Sequence, residues 1–600
     1  MDSFDKATIL KLSKESDSIK LDVIEKYAEK LGGYFIAILS KDMNENNRMK
    51  IIGEYADKLG SQRIAVLAQN MPDEYKLKII DVGCIENKDI PLIIKGMSEE
   101  NILKVITNID LERDELVQIA SEMSIESKLQ IMKNGKIEGQ DIVELTQGMS
   151  EDEKIKVIQL GVETQKLDGS NIATMVTSFE ETKNKKDAID IYHNFLSSDN
   201  LLKVIVSTKD SDYIKSCIDD NKLNLDGKMQ QLLVLATNDI EFIRNNIPSF
   251  TDTKSFKLPP EMTIGMEIES EGSFSSVIMS GFDFAGWKAT PDGSLDLGVE
   301  VVSPILHANE NDVEQIYIVT NTLNSLEQNI SEKCGGHIHI GADFLTSKQA
   351  YTNLLEIWCN TEKILYSICN DKNEAPRGGV GHYAKPISPK VQEALEMGSI
   401  NLSDDYELDS FVEGLKQIQG LHEVTGDERY SGLNFLNINN GKNTIEFRLA
   451  NGTINPDLWI DNINLFGGIV AISEELAQIQ QKGIENDEDR SKIEMLGRLK
   501  EDISEEDKLK ILLELVGVEP EAYMDRYESN MRLMDNEQER KEAFEKVKGP
   551  IDIIKKSQIS SKDIAQATVS ASALMEQEAI STMVKEMEHE KQQENVVERT

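Results

Sequence analysis

The stretch "EKCGGHIHIG" sets His337 and His339 one residue apart behind two glycines, in a chain with only seven histidines. On an extended backbone two imidazoles so spaced point to one side, where they can ligate a metal, contact a phosphate or simply pack. Acidic candidates stand in "GMEIE" (Glu267 and Glu269), in "TPDGSLDLGVEVV" (Asp292 and Glu300) and in "NTIEFRLA" (Glu446, with Arg448 two residues on). That many carboxylates on one surface would repel strongly, and a bound divalent cation relieves the repulsion. Oxygen-rich ligation with an imidazole suits Mg2+ or Mn2+ better than zinc.

Strands are the elements that would bring these groups together, because their side chains alternate between two faces. In 262–270, Met262, Ile264, Met266 and Ile268 point one way, Glu267 and Glu269 the other. Val299 and Val301 oppose Glu300; Ile338 and Ile340 oppose the two histidines; Ile445, Phe447 and Leu449 oppose Glu446 and Arg448. If these segments share one sheet, its apolar side packs on helices and its other side gathers carboxylates, imidazoles and a guanidinium. Each motif alone has a plainer reading: E-x-E on a strand usually marks an exposed face, and "HIH" is more often structural. The glycines before the histidines would permit close approach of a ligand. Four matched polar faces within 262–450 favour a site.

Taken in order, "GMEIE", "WKATPDGSLDLGVEVVSPIL", "CGGHIHIG" and "RYSGLNFLNINNGKNTIEFRLANGTINPDLWI" resemble the amidoligases of the glutamine synthetase and glutamate–cysteine ligase superfamily, over roughly 260–475. The resemblance implies a glutamine-synthetase-like antiparallel β-sheet with helices on one face. It implies a carboxylate–amine ligase in which ATP phosphorylates a carboxylate and an amine displaces the phosphate, with Mg2+ (or Mn2+) on the concave face of the sheet. Carried over by position, Glu267, Glu269, Asp292, Glu300, His337 and Glu446 would be metal ligands. His339 would contact phosphate, and Arg448 would stabilise the transferred phosphoryl group. Arg429, opening "RYSGLNF", would be a further phosphate or substrate contact. The Gly-rich loop "NEAPRGGVGHYAKP" reads as a lid or a plain surface loop, with Arg377, His382 and Lys385 as candidate nucleotide or substrate contacts. No Walker motif is present, so ATP use rests on the resemblance.

The first third of the chain repeats. "MPDEYKLKII", "MSEENILKVI", "MSIESKLQIM" and "MSEDEKIKVI" begin at Met71, Met97, Met123 and Met149, a step of 26 residues. Ser followed by acidic residues fits a helix N-cap, so each repeat reads as a pair of short helices with its Met and aliphatic residues in the core. Such pairs stack into an α-solenoid, whose curved surface suits a peptide or protein partner. The predicted architecture is therefore multidomain, α plus α+β: an α-solenoid over 1–246, a linker over 247–261, the sheet domain over 262–480, a helical region over 481–575, and a Gln/Glu-rich tail over 576–600.

Six hundred residues exceed one core. A net charge of −42 argues against nucleic acid and anionic membranes as partners. "MDSFDKATIL" lacks the basic start and apolar core of a signal peptide, and runs such as "LFGGIVAI" are too short to span a bilayer. Five scattered cysteines favour reduced thiols and a cytoplasmic setting. Two other readings compete with the ligase. His337, His339 and Asp343 resemble the start of a cupin-type oxygenase motif, which leaves "GMEIE" and "TIEFR" without a role. An inactive ligase-like domain in a binding scaffold is the third.

Overall fold

A computed structural model describes residues 6–220, 223, 225–247, 253–376, 383–398, 400, 407–421, 423, 427–534 and 549–553. The chain divides into two compact units, 1–209 and 210–600.

The first unit is helical, with longer helices such as Asp73–Asp81, Glu99–Asn108, Ile125–Lys133 and Glu151–Glu163 alternating with short ones such as Ile90–Ile94 and Gln140–Leu145. Met43, Met71, Met97 and Met123 are buried, as the repeat pattern requires. Ser98, Ser124 and Ser150 are N-caps. Successive repeats are stitched at these caps, since an acid in the first turn of one helix accepts from the cap of the next. Asp73 takes bonds from the Ser98 amide (2.9 Å) and the Asn101 side chain (2.9 Å). Glu99 takes one from the Ser124 amide (2.8 Å). A second recurring device is a buried cation in the first turn of one helix, aimed at a carbonyl at the end of a later one. Arg48 donates to Leu67 O (3.0 Å), Lys76 to Lys95 O (2.8 Å) and Lys185 to Ser207 O (2.7 Å). Helix C-termini carry partial negative charge, so these contacts offset the burial of a cation.

Among the described residues, the second unit is built on an antiparallel sheet of eight strands: β1 (Thr263–Glu271), β2 (Asp283–Phe284), β3 (Trp287–Pro291), β4 (Gly298–Val302), β5 (Leu306–His307), β6 (Gly335–Gly341), β7 (Leu433–Asn434) and β8 (Thr444–Asn451). Their order is β2-β3-β4-β1-β6-β8-β7, with β5 beside β1, and every pairing is antiparallel. The strands that carry the acidic and imidazole motifs are therefore adjacent.

Helices Lys348–Ile368 and Pro456–Lys482 back the apolar face. Phe447 of β8 stacks on Phe466 (centroids 4.9 Å) and both meet Trp358, which ties the sheet to the two helices. Helices Asp487–Leu499, Glu505–Val516 and Pro520–Met534 add a further layer. A Cβ on Gly468 would lie 2.3 Å from Val516 Cγ1, so the "GG" of "LFGGIVAI" is where one helix approaches another. Arg526 pairs with Asp461 (3.1 Å) and the Tyr523 hydroxyl donates to Asp461 O (2.7 Å). The described part of 247–261 lies along the same helix: Lys254 Nζ pairs with Asp461 (2.7 Å), and the Lys257 amide donates to Asn464 (2.7 Å).

Candidate functional site

Register decides which side chains meet. Glu267 faces His337, Glu269 faces Glu300, and His339 lies between Gly265 and Glu446. Between β6 and β8 the pairing slips at Gly336/Ile338, so Arg448 and Leu449 together oppose His337. This bulge sits in the middle of the polar face, where such irregularities re-aim side chains. Glu267, Glu269, His337, His339 and Glu446 are each at most 9% exposed. That excludes the plain reading of E-x-E as a solvated strand face. Gly336, just before the first histidine, is required by packing: a Cβ there would lie 2.7 Å from Asn451 O and 3.0 Å from Trp459.

The groups form a continuous cradle. His337 Nδ1 lies 3.0 Å from Glu267 Oε2, and His337 Nε2 is 3.5 Å from Glu269 Oε1. His339 Nε2 is 3.1 Å from Glu267 Oε1, while its Nδ1 meets Thr444 Oγ1 at 3.0 Å. The Gly335 amide donates to Glu269. Arg448 Nη1 donates to Glu446 Oε1, and Asn434 and Asn437 donate to Glu446 Oε2 (2.7 and 3.0 Å). Among the described residues, three sets of ligand atoms, each mutually within 4.8 Å, run along the sheet: Glu267–His339–Glu446, Glu267–Glu300–His337, and Glu269–Asp292–Glu300. Glu267 and Glu300 each belong to two sets, so the three positions are linked.

Electrostatics mark the same centre. Burial, then the charges of Glu267, Glu269 and Asp292, push Glu300 up to about 7. Burial also works against the Glu267 carboxylate, yet the hydrogen bond from His337 and the close approach of His339 hold it far below the usual range. His337 itself is pushed down by burial and then by Arg448. Glu446 is held low despite burial, chiefly by Arg448. His337 Nε2 and His339 Nε2 are buried without a hydrogen-bond partner although carboxylate oxygens surround them. Orphaned imidazole nitrogens in a nest of carboxylates are costly as they stand and form the donor set that a divalent cation takes. These residues fit Mg2+ or Mn2+.

All six expected metal ligands thus fall in one cradle, together with His339 and Arg448. Arg429 is exposed beside it: its guanidinium lies 4.7 Å from the Tyr430 ring, and that of Arg448 lies 5.9 Å from the same ring. Lys385 pairs through its backbone with Tyr430 (2.7 Å), but its ammonium is held by Glu423 (2.6 Å). Arg377 and His382 lie outside the described residues. Asp343, needed by the oxygenase reading, accepts from Asn443 (2.7 Å) and joins none of the three ligand sets. Sequence reasoning missed Lys442, whose Nζ lies 3.0 Å from Glu267 Oε1, and the amides of Asn434 and Asn437. All three stand inside the "GLNFLNINNGKNTIEFR" motif, but lie in or beside turns where no periodicity singles them out.

Fold and site together define an antiparallel-sheet protein with a buried acid–imidazole–guanidinium cradle. Residues 178–470 match the model of a family described as "Putative amidoligase enzyme", and the match supports a ligase type of activity. The match takes in helices ahead of β1 as well as the whole sheet. No curated protein and no solved structure matches the chain. Among the described residues, no helix is long and apolar enough to cross a membrane.

Proposed function

We propose that the chain is an ATP- and Mg2+-dependent carboxylate–amine ligase of glutamine-synthetase-like design. The observation that carries the reading is the row of three linked ligand sets, buried at Glu267, Glu269, His337, His339 and Glu446 and half-buried at Asp292 and Glu300, with unpartnered imidazole nitrogens and Arg448 beside them. In the proposed reaction a substrate carboxylate oxygen attacks the γ-phosphorus of ATP and ADP leaves. An amine then adds to the acyl carbon, phosphate departs, and the amine's proton goes to solvent or a base. Bound divalent cations would neutralise phosphate oxygens and carboxylate repulsion. The chain's own contribution is positional. Glu267 and Glu300 fix the spacing of adjacent ligand sets, Asn434 and Asn437 orient Glu446, and burial excludes water. Arg448, on the stacked Phe447 strand, presents fixed positive charge where negative charge grows on the phosphoryl group. His339 and Arg429 are the further phosphate contacts in this reading.

The N-terminal helical repeats would form a solenoid that recruits a peptide or protein carrying the carboxylate or the amine. Five cysteines without a disulfide support a cytoplasmic setting. The test is Mg2+-dependent ADP release by the full chain against a panel of carboxylates, including peptides, with amines. Glu446→Gln should abolish release while leaving the fold intact; full activity in that variant would remove the site assignment.

A further inference from the structure

Lys442 occupies a position that the rest of the cradle leaves unexplained. It belongs to the turn between Asn439 and Asn443, both with positive φ (57° and 47°). The turn is braced by the Asn440 side chain, which accepts from the Lys442 amide (2.9 Å), and by Asn443 donating to Asp343 (2.7 Å). From this fixed base the ammonium reaches Glu267 Oε1 at 3.0 Å, the same oxygen that His339 Nε2 approaches at 3.1 Å. The Lys442 side chain remains 60% exposed and borders a cleft of about 280 Å3. Gly265, Met266, Val302, Pro304 and Ile305 are among the residues of its wall, with His339 and Glu267 on the side of the cradle.

Glu267 is shared by two of the three ligand sets. An ammonium in contact with its Oε1 and a divalent cation on that carboxylate repel each other at short range. The cleft beside the lysine is the space into which a long, half-exposed side chain can turn without moving its braced backbone. We propose that Lys442 is an exchangeable cation. It neutralises Glu267 while the adjoining ligand sets are empty, and when a divalent cation binds it swings into the cleft to contact a polyphosphate. The ligand class is thus a nucleoside polyphosphate whose phosphates lie between His339 and Lys442, with its uncharged part against Val302, Pro304 and Ile305. This inference rests on the ligase reading of the cradle.

The experiment uses the full-length chain and two titrations, Mn2+ alone and a non-hydrolysable ATP analogue at saturating Mn2+, on wild type, Lys442→Met and Lys442→Arg. With the competing ammonium gone, Lys442→Met should bind Mn2+ about five-fold more tightly, the scale of one partly exposed ion pair. It should bind the analogue about ten-fold more weakly, the scale of a lost charge-assisted hydrogen bond, while Lys442→Arg keeps wild-type analogue affinity. Both changes in Lys442→Met are required, and either one missing overturns the role of Lys442. Wild-type protein that takes no Mn2+ would instead overturn the reading of the cradle itself. An exposed turn residue tolerates these substitutions, and unchanged melting of metal-free Lys442→Met verifies it.

Discussion

Replacing Glu267 by Gln separates a residue held for stability from one held for ligation. In the metal-free protein Glu267 belongs to ligand sets whose atoms lie within 4.8 Å. Two unit charges 4.8 Å apart repel by up to ~3.5 kcal/mol at an effective dielectric of ~20. The upward push of Glu267 on the Glu300 pKa is the same repulsion seen from the other partner. Against that gain stand the ion pair with Lys442, whose side chain is 60% exposed and which is therefore worth at most about 1 kcal/mol. The weakened hydrogen bond from His337 and the lost attraction to His339 cost about 1 kcal/mol each. The sum lies within about 1–2 kcal/mol of zero, so Glu267→Gln should fold and melt close to wild type without metal. Its response to Mn2+ should differ sharply. At a concentration 100-fold above Kd a ligand stabilises by ~2.7 kcal/mol. A ligand shared by two sets should cost at least ~100-fold in affinity, which leaves ~0.4 kcal/mol at the same concentration. Differential scanning calorimetry over a Mn2+ series reads both quantities. A variant stabilised by Mn2+ as wild type is would refute the ligand role. A metal-free loss above about 3 kcal/mol would show that the carboxylate is structural.

Other expectations follow from packing and pairing. Phe447 is fully buried between Phe466 and Trp358, so Phe447→Ala should destabilise the second unit by about 3–5 kcal/mol in denaturant titrations. Gly468→Ala should cost about 1–3 kcal/mol by the same measurement, because its Cβ meets Val516 at 2.3 Å. Glu423 holds both Lys385 (2.6 Å) and Lys390 (2.8 Å). Burial opposes its charge, but the two lysines win and depress its pKa below the ordinary 4.5. A carboxylate depressed in the fold stabilises above its unfolded pKa and loses that contribution as pH falls through the folded value. Glu423→Gln should therefore cost about 2–4 kcal/mol at pH 7, with the difference from wild type shrinking below pH ~4. In the first unit, Asp73→Ala removes the acceptor for the Ser98 cap and Asn101, and should cost about 1–2 kcal/mol by thermal melting.

The amino-acid order by itself determined the local structure and the inventory of chemistry. Alternation in "MTIGMEIES", "HIHIG" and "NTIEFRLA" sorted Glu267, Glu269, His337, His339, Glu446 and Arg448 onto one side of three strands, because side-chain direction in a strand is a local property of the backbone. The 26-residue step and its serines likewise marked the N-caps at Ser98, Ser124 and Ser150, since capping involves only neighbours in the chain. Register and burial were decided only in three dimensions. Nothing in the spacing says that β1 lies between β4 and β6, that Glu269 faces Glu300, or that a bulge opposes two residues of β8 to His337. Those facts depend on contacts between segments far apart in sequence, and they turn an ordinary E-x-E strand into a buried carboxylate row. The same holds for Lys442: a turn lysine has no pattern of its own, and only the fold sets its ammonium against Glu267. The repeat's buried cations, Arg48, Lys76 and Lys185, were invisible for that reason too, because their carbonyl partners belong to later helices.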